Sequence, residues 1–150
     1  MEEAKEFCSE VRESANDEDG MSSGNFYADE KLFRAVTVDN PNMFDQHNQV
    51  TSTVFKDSAG VSVDRQWHRS VKEAVNALCN KLAKIQGRKI KDYKVISVKK
   101  SDCDSVRVHC QYAPEDNDIY HSLIMQSSTE IKLTKTQARK LVKLAIVENI

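Results

Sequence analysis

The stretch that decides the fold is 61-VSVDRQWHRSVKEAVNALCNKLAKIQG-87. It begins with alternating apolar and polar residues, as in a half-buried strand, and then changes to apolar residues at helical spacing. The tetrapeptide SVKE at 70–73 has the pattern of a capping box, and Gly87 stands where a left-handed C-cap ends a helix. The stretch therefore predicts a strand followed by a helix over residues 70–86. The expected apolar stripe of this helix consists of Val71, Ala74, Val75, Leu78, Leu82 and Ile85.

Two segments upstream also have strand composition. LFRAVTV at 32–38 is rich in β-branched and aromatic residues and ends at the turn sequence DNP. Residues 50–56 and 61–64 flank the tetrapeptide DSAG, whose Asp57 and Gly60 are residues that a type I turn favours. These two segments are predicted to form a β-hairpin.

Downstream, the pattern predicts more strands and a final helix. The strands cover residues 93–98, 106–112 and 119–125, with turns at 101–105 and 114–118. A second capping box, TKTQ at 134–137, predicts a helix over residues 134–147. Because most strands are joined by hairpin-length links, we expect an α+β fold in which two helices pack on a mainly antiparallel sheet of about five to six strands.

The charge of the chain is distributed unevenly. The net charge is −1, yet residues 1–30 contain ten acidic and only two basic side chains. Since the whole chain has 22 Lys+Arg and 23 Asp+Glu, residues 31–150 hold 20 basic and 13 acidic side chains. We expect residues 1–25 to form an acidic, partly helical or disordered arm, and residues 26–150 to form a single domain. The arm is either a solvated leader or a segment that lies on the basic surface and competes with an anionic partner.

Several classes of protein are disfavoured by the sequence. No apolar run approaches the roughly 18 residues of a membrane span, and the acidic start does not resemble a signal peptide, so a soluble cytoplasmic protein is expected. The four cysteines form no CxxC and lie at no zinc-site spacing from a histidine, which favours free thiols in a reducing compartment and no bound metal. No local motif for a nucleotide or for hydrolytic chemistry occurs, and no cofactor is predicted.

The first candidate site is the segment DRQWHRS at 64–70, which precedes the predicted helix. A helix N-terminus attracts anions, so Arg65, His68 and Arg69 are candidate phosphate ligands, and Trp67 offers a ring for stacking. The alternative is structural: Asp64 pairs with a neighbouring arginine, and Trp67 packs on the first turn of the helix.

Two polar residues interrupt predicted apolar strand faces. Arg34 shares a face with Leu32 and Val36, and His121 shares one with Ile119 and Leu123. A histidine in such a position is most often a hydrogen-bonded core residue. If both residues project from the same side of the sheet beside residues 65–69, they form a cleft in which His121 acts as acid or base and Arg34 and Arg65 hold phosphate.

A basic set lies near the C-terminus, where no acid occurs between Ile131 and Val147. Three of its members are spaced by four residues and so form one helical stripe. Such a stripe is either a solvated helix face or a surface that meets nucleic-acid phosphates. The set consists of Lys132, Lys135, Arg139, Lys140 and Lys143.

Three functions are compatible with these patterns. The first is a small accessory or regulatory module that binds an anionic ligand, either nucleic acid or a nucleotide. The second is a small enzyme for a phosphorylated or nucleotide substrate that uses His121, Arg34 and Arg65. The third is a protein-interaction subunit whose acidic arm orders on its partner.

Overall fold

Residues 24–149 are the part of the chain that the computed structural model describes. The acidic arm expected over residues 1–25 lies almost wholly outside these residues. Six strands, three α-helices and two 3₁₀ helices follow one another along the described chain. The strands are β1 (Lys31–Thr37), β2 (Val61–Arg65), β3 (Tyr93–Lys99), β4 (His109–Tyr112), β5 (His121–Met125) and β6 (Ile146–Glu148); the α-helices are α1 (Val71–Gln86), α2 (Lys100–Ser105) and α3 (Lys135–Leu144); the 3₁₀ helices are Ser52–Phe55 and Ile90–Asp92.

The strands form one sheet in the order β4-β5-β2-β1-β3-β6, in which every neighbouring pair is antiparallel. The predicted α+β class is therefore confirmed. The longest ladder joins β1 to β3 over seven residue pairs, from Lys31–Lys99 to Thr37–Tyr93. In contrast, β1 and β2 are paired only at Leu32–Arg65 and Phe33–Asp64.

Helices cover both faces of the sheet, and each face has its own apolar cluster. On one face, α1 packs over the sheet and buries Phe33, Val95 and Leu78. On the other, α3 and the 3₁₀ helix Ser52–Phe55 contribute Leu141 and Phe55 to a larger cluster. The central strands are thus buried on both sides, which is why LFRAVTV contains few polar residues.

Both predicted capping boxes are present. In α1, the Ser70 hydroxyl accepts from the Glu73 backbone N–H at 3.1 Å, and the Glu73 carboxylate accepts from the Ser70 N–H at 2.9 Å. Gly87 ends the helix with φ 65°, a left-handed conformation that glycine adopts at little cost. The predicted stripe extends too far, because Ile85 is 62% exposed.

The prediction that residues 50–56 form the first strand of a β-hairpin is wrong. Residues 52–55 form a 3₁₀ helix instead of a strand, although the Asp57–Gly60 turn is present, with a 3.1 Å hydrogen bond from the Gly60 N–H to the Asp57 carbonyl. The consecutive residues Val54 and Phe55 are both buried against the α3 side. A strand would send them to opposite faces, whereas a helical turn directs both into one core.

Two further predictions are corrected near the C-terminus. The segment predicted as a turn at 101–105 belongs to α2, which buries Cys103, so the next strand begins at His109 instead of Val106. The last helix ends at Leu144 instead of residue 147, and β6 follows it as an edge strand on β3. Glu148 anchors this strand by binding the Lys31 ammonium at 2.7 Å and the Ser97 hydroxyl at 2.5 Å.

We predict that Leu78→Ala lowers the free energy of unfolding by roughly 2–5 kcal/mol, because it leaves a cavity in the cluster under α1. The matched control is Ile85→Ala on the exposed side of the same helix, which should change that free energy by less than about 0.5 kcal/mol. Urea unfolding followed by circular dichroism measures both values. Equal losses in the two variants would contradict the placement of α1.

Candidate functional site: the Asp64 cleft and the basic face of α3

Arg65 lies at the end of β2 and is completely buried. Its Nε and Nη2 donate to the Glu30 carboxylate at 2.8 and 2.9 Å, and Nη2 also donates to the Asn25 carbonyl at 2.8 Å. The guanidinium lies 4.2 Å from the Phe26 ring centre and 4.6 Å from that of Trp67, which is itself 8% exposed. Arg65 and Trp67 therefore contact groups inside the protein, and neither presents the accessible surface that an external phosphate or base needs.

The predicted anion-binding segment continues as a tight turn. The Arg69 N–H donates to the Gln66 carbonyl at 3.1 Å, and the two residues between them have left-handed backbones, with φ 41° at Trp67 and φ 67° at His68. Such conformations are strained for side chains of this size. The Glu30 carboxylate helps to hold the turn by accepting from the Trp67 N–H at 3.0 Å.

Only part of this turn faces solvent. His68 is exposed, and its ring contacts that of Tyr27, whose hydroxyl is hydrogen-bonded to it. Arg69 is half-buried: its Nε and Nη2 donate to the carbonyls of Gln66 and Arg65 at 3.2 and 2.7 Å. The Arg69 guanidinium also lies 3.4 Å from the centre of the Tyr120 ring. Arg69 thus braces the turn while it borders the cleft described below.

The structure places Arg34 and His121 on opposite faces of the sheet. His121 is paired with Asp64, and Asp64 with Phe33, so these three side chains share the α1 face. Arg34 follows Phe33 and is paired with Ile96, which belongs to the cluster on the α3 face. Arg34 and His121 nevertheless border the same cavity of about 230 Å³, together with Asp64 and Lys81, because β1 and β2 separate beyond their two paired positions. Arg65, the third residue of the predicted cleft, is completely buried and does not border this cavity.

Arg34 crosses the gap that opens between β1 and β2 beyond their two paired positions. Its Nη1 donates to the Ser62 carbonyl at 2.9 Å, and its Nη2 lies 3.8 Å from the Asp57 carboxylate. Burial lowers the pKa of Arg34, although Asp57 opposes this, and the guanidinium still keeps its charge. Arg34 therefore bridges β1 and β2 at the point where their backbone pairing has ended.

His121 is held by its Nδ1 atom, which lies 2.8 Å from the Ala113 carbonyl. A carbonyl only accepts hydrogen bonds, so Nδ1 carries the proton and Nε2 is the acceptor in the neutral ring. The Glu115 carboxylate lies 3.9 Å from the same Nδ1. His121 also borders the cavity of about 230 Å³ that adjoins Asp64 and Lys81.

The polar groups that do converge are Asp64 of β2, Lys81 of α1 and Asp118, which precedes β5; we call this group the Asp64 cleft. The Lys81 ammonium lies 2.5 Å from the Asp118 carboxylate and 3.4 Å from that of Asp64. Both carboxylates are almost fully buried. Two cavities of about 310 and 230 Å³ border Asp64 and Lys81; Arg69 and Tyr120 also border the larger one.

The pKa values of the two carboxylates in the Asp64 cleft are shifted in opposite directions. Burial, and after it the hydrogen bond with Asp118, raises the pKa of Asp64 to about 7. Burial acts in the same direction on Asp118, but hydrogen bonds from Asp64 and Lys81 outweigh it and lower the pKa of Asp118. Burial opposes the charge on Lys81 as well, yet its contacts with Asp118 and Asp64 raise the pKa of Lys81. At neutral pH this arrangement can give up or accept a proton at Asp64.

Sequence reasoning missed three residues of this region: Glu30, Lys81 and Asp118. Lys81 carried a detectable signal, because it lies three residues after Leu78 and so interrupts the buried side of α1. Asp118 was included in a predicted turn, where aspartate is ordinary. Glu30 was counted with the acidic arm, and no local pattern shows that a single carboxylate will be buried.

The basic set forms an exposed surface on and before α3. All five residues are exposed, and none makes an ion pair with another residue among 24–149. On its other side, α3 buries Ala138 and Leu141. The Gln137 amide donates to the carbonyls of Arg107 and Gln126 at 3.1 Å, which fixes the start of the helix. We call Lys132, Lys135, Arg139, Lys140 and Lys143 the basic face.

The described residues contain no cluster of three or more histidine, cysteine or acidic side chains that could hold a metal ion. None of the helices described is long and apolar enough to cross a membrane. No protein-family model, curated protein or solved structure matches the chain. Its function is therefore inferred from geometry and charge.

We predict that Asp64→Asn weakens the dependence of stability on pH. Because the pKa of Asp64 rises from 3.8 to about 7 on folding, the folded state holds a proton between about pH 4 and 7 that the unfolded state releases. Stability therefore falls as pH rises through this window. Asp118 has a lowered pKa and acts in the opposite direction, with stability lost as pH falls below the window.

Urea unfolding at pH 5, 6, 7 and 8 tests this prediction. Asp64→Asn should lose less unfolding free energy than the unmodified protein between pH 5 and 7, with a slope difference of up to about 1.4 kcal/mol per pH unit, the value for one proton. Asp116→Asn removes an exposed carboxylate from the border of the same cavity and serves as the control. If Asp64→Asn shows the same pH dependence as the unmodified protein, Asp64 does not hold the proton.

Proposed function

We propose that the protein is an accessory module that binds the phosphate backbone of nucleic acid through the basic face. The observation that carries this proposal is the concentration of five exposed cations, without ion-pair partners in the described chain, on and before one short helix. Cations arranged in this way neutralise phosphates and release counterions, which is the main source of affinity in non-specific binding to nucleic acid.

The spacing of the basic face suits a linear polyanion. Lys135, Arg139 and Lys143 follow one another at intervals of four residues, about 6 Å along the helix axis, so their charges extend over roughly 12 Å. Duplex DNA carries one charge per about 1.7 Å of its axis, and such a stripe meets several phosphates at once. Since Ala138 and Leu141 anchor α3 in the core, the stripe is held on a fixed element.

A polymer is a better candidate than a single nucleotide. The segment expected to form a nucleotide pocket, 64–70, has Arg65 and Trp67 buried and Arg69 occupied by backbone carbonyls. The cations of the basic face, in contrast, are exposed on and before α3, where a long ligand can contact several of them at once. These contacts to phosphate carry no base information, so binding should be independent of sequence.

We predict that the triple variant Lys135→Glu, Arg139→Glu, Lys143→Glu binds duplex DNA at least about tenfold more weakly, because like charges replace phosphate contacts. The loss should be equal for unrelated sequences, and the slope of log affinity against log salt should decrease by about 0.9 for each contact removed. Electrophoretic mobility titrations at two salt concentrations measure both quantities.

The matched control reverses three exposed lysines elsewhere, Lys84, Lys89 and Lys91, and so makes the same change in net charge. It should retain most of the affinity. If both triple variants lose affinity equally, net charge acts without a defined site and the basic face is not the interface. Absent or salt-insensitive binding by the unmodified protein would overturn the proposed function itself.

We predict that deletion of residues 1–24 strengthens the same binding. The deletion removes eight acids and two bases, a change of +6 in net charge, and it ends before Asn25, whose carbonyl binds Arg65. A full-length control in which the eight acids are replaced by Asn or Gln separates charge from chain length. It changes the net charge by +8, because Lys5 and Arg12 remain, and it should strengthen binding at least as much as the deletion, since competition with phosphate is electrostatic. If neither variant changes the affinity, the arm is a solvated leader.

A further inference from the structure

The cavity of about 230 Å³ beside Asp64 has apolar walls and reaches the surface of the protein; we call it the α1 cavity. Ser62 and Gln86 border it and are exposed, so it is open to solvent. Its volume lies above the roughly 150 Å³ that hold a benzene ring and below the roughly 300–1,000 Å³ of drug-sized ligand sites, which suits a molecule of one ring with a polar group. The apolar walls include Phe33 and Ala35 of β1 and Leu78 and Leu82 of α1.

Two hydrogen-bond acceptors border the α1 cavity from neighbouring strands. Asp64 of β2 and His121 of β5 are directly paired across the sheet, so their side chains project from the same face. Since His121 Nδ1 donates to the Ala113 carbonyl, Nε2 is an acceptor, and it has no hydrogen-bond partner among residues 24–149. A ligand that carries two N–H groups on one edge would satisfy both acceptors.

The charges inside the cleft favour a positively charged ligand. Lys81 borders the α1 cavity, and its ammonium lies 2.5 Å from the Asp118 carboxylate and 3.4 Å from that of Asp64. Two almost fully buried carboxylates therefore contact one cation. Burial raises the pKa of Asp64 to about 7 although Lys81 opposes this rise, which agrees with a shortage of positive charge around Asp64.

The other charged groups near the α1 cavity do not supply this missing charge. Arg34 borders the cavity, but its Nη1 donates to the Ser62 carbonyl and its Nη2 lies 3.8 Å from the Asp57 carboxylate. A further carboxylate, that of Glu115, lies 3.9 Å from His121 Nδ1. Carboxylates thus outnumber cations around the cavity.

We propose that the α1 cavity binds a small organic cation with a flat apolar body, such as an amidinium or a protonated amino-heterocycle. Its N–H groups donate to the Asp64 carboxylate and to His121 Nε2, and its ring packs against Phe33, Leu78 and Leu82. The bound cation offsets the excess of buried negative charge. The cavity lies on the α1 side of the sheet and the basic face belongs to α3 on the other side, so this proposal and the proposed function can fail independently.

Three probes of nearly the same shape test the charge of the ligand: benzamidine is a cation, benzamide is neutral and benzoate is an anion. Each is titrated into the full-length protein at pH 8, where Asp64 is ionised, and the methyl NMR signals of Ala35, Leu78 and Leu82 locate the binding. Benzamidine should shift these signals and bind at least about tenfold more tightly than benzamide, because hydrogen bonds between charged groups are stronger; benzoate should bind most weakly. Equal or tighter binding of benzamide or benzoate would overturn the proposal, as would absent benzamidine binding or shifts confined to other residues.

Asp64→Asn keeps the shape of the side chain and removes its charge. This variant should bind benzamidine at least about tenfold more weakly and benzamide with nearly unchanged affinity. The matched control is Asp116→Asn, which removes an exposed carboxylate at the larger cavity and should change benzamidine affinity by less than about twofold. Circular dichroism establishes that each variant is folded, and the three probes on the unmodified protein decide the proposal if Asp64→Asn is not. Equal benzamidine affinity in Asp64→Asn and the unmodified protein would show that Asp64 does not bind the cation.

Discussion

The buried ion pair between Glu30 and Arg65 is the interaction on which the rest of the structure depends. The Glu30 carboxylate accepts four hydrogen bonds, two from Arg65 and one each from the backbone N–H groups of Tyr27 and Trp67. A buried charge pair is tolerated when its partners are satisfied in this way, but removal of one partner leaves an isolated charge and costs about 3–5 kcal/mol. The pair joins the segment before β1 to the end of β2, where backbone pairing between these strands is short.

The same pair determines how α1 meets the sheet. It stabilises the left-handed turn at Trp67 and His68, which connects β2 to the capping box at Ser70. The direction of α1 then brings Lys81 over Asp64 and Asp118. The Asp64 cleft therefore depends on this turn. The backbone strain of the turn is offset by the hydrogen bonds that the Glu30 carboxylate accepts.

Local patterns predicted the elements with local causes. The two capping boxes, the C-cap glycine and the alternation of β1 depend on neighbouring residues, and the helix starts and the sheet class were correct. The errors have non-local causes. In the 3₁₀ helix at residues 52–55, Val54 and Phe55 both pack into the apolar cluster beside α3. The strand β6 is held by contacts of Glu148 with Lys31 and Ser97, which are distant in sequence. The burial of Arg65 depends on Glu30, which lies 35 residues earlier in the chain.

Most acidic side chains among the described residues have partners elsewhere in the fold, and this explains why the basic face forms no ion pairs with them. Most described acids either pair with a cation or accept backbone N–H groups at helix starts and turns, as the residues Glu30, Asp39, Asp45, Asp57, Asp64, Glu73, Asp92, Asp102, Asp104, Asp118 and Glu148 do. Since no acid occurs between Ile131 and Val147, no neighbouring carboxylate in this segment neutralises the positive charge of the basic face. Among the described residues, no acid therefore forms an ion pair with the basic face.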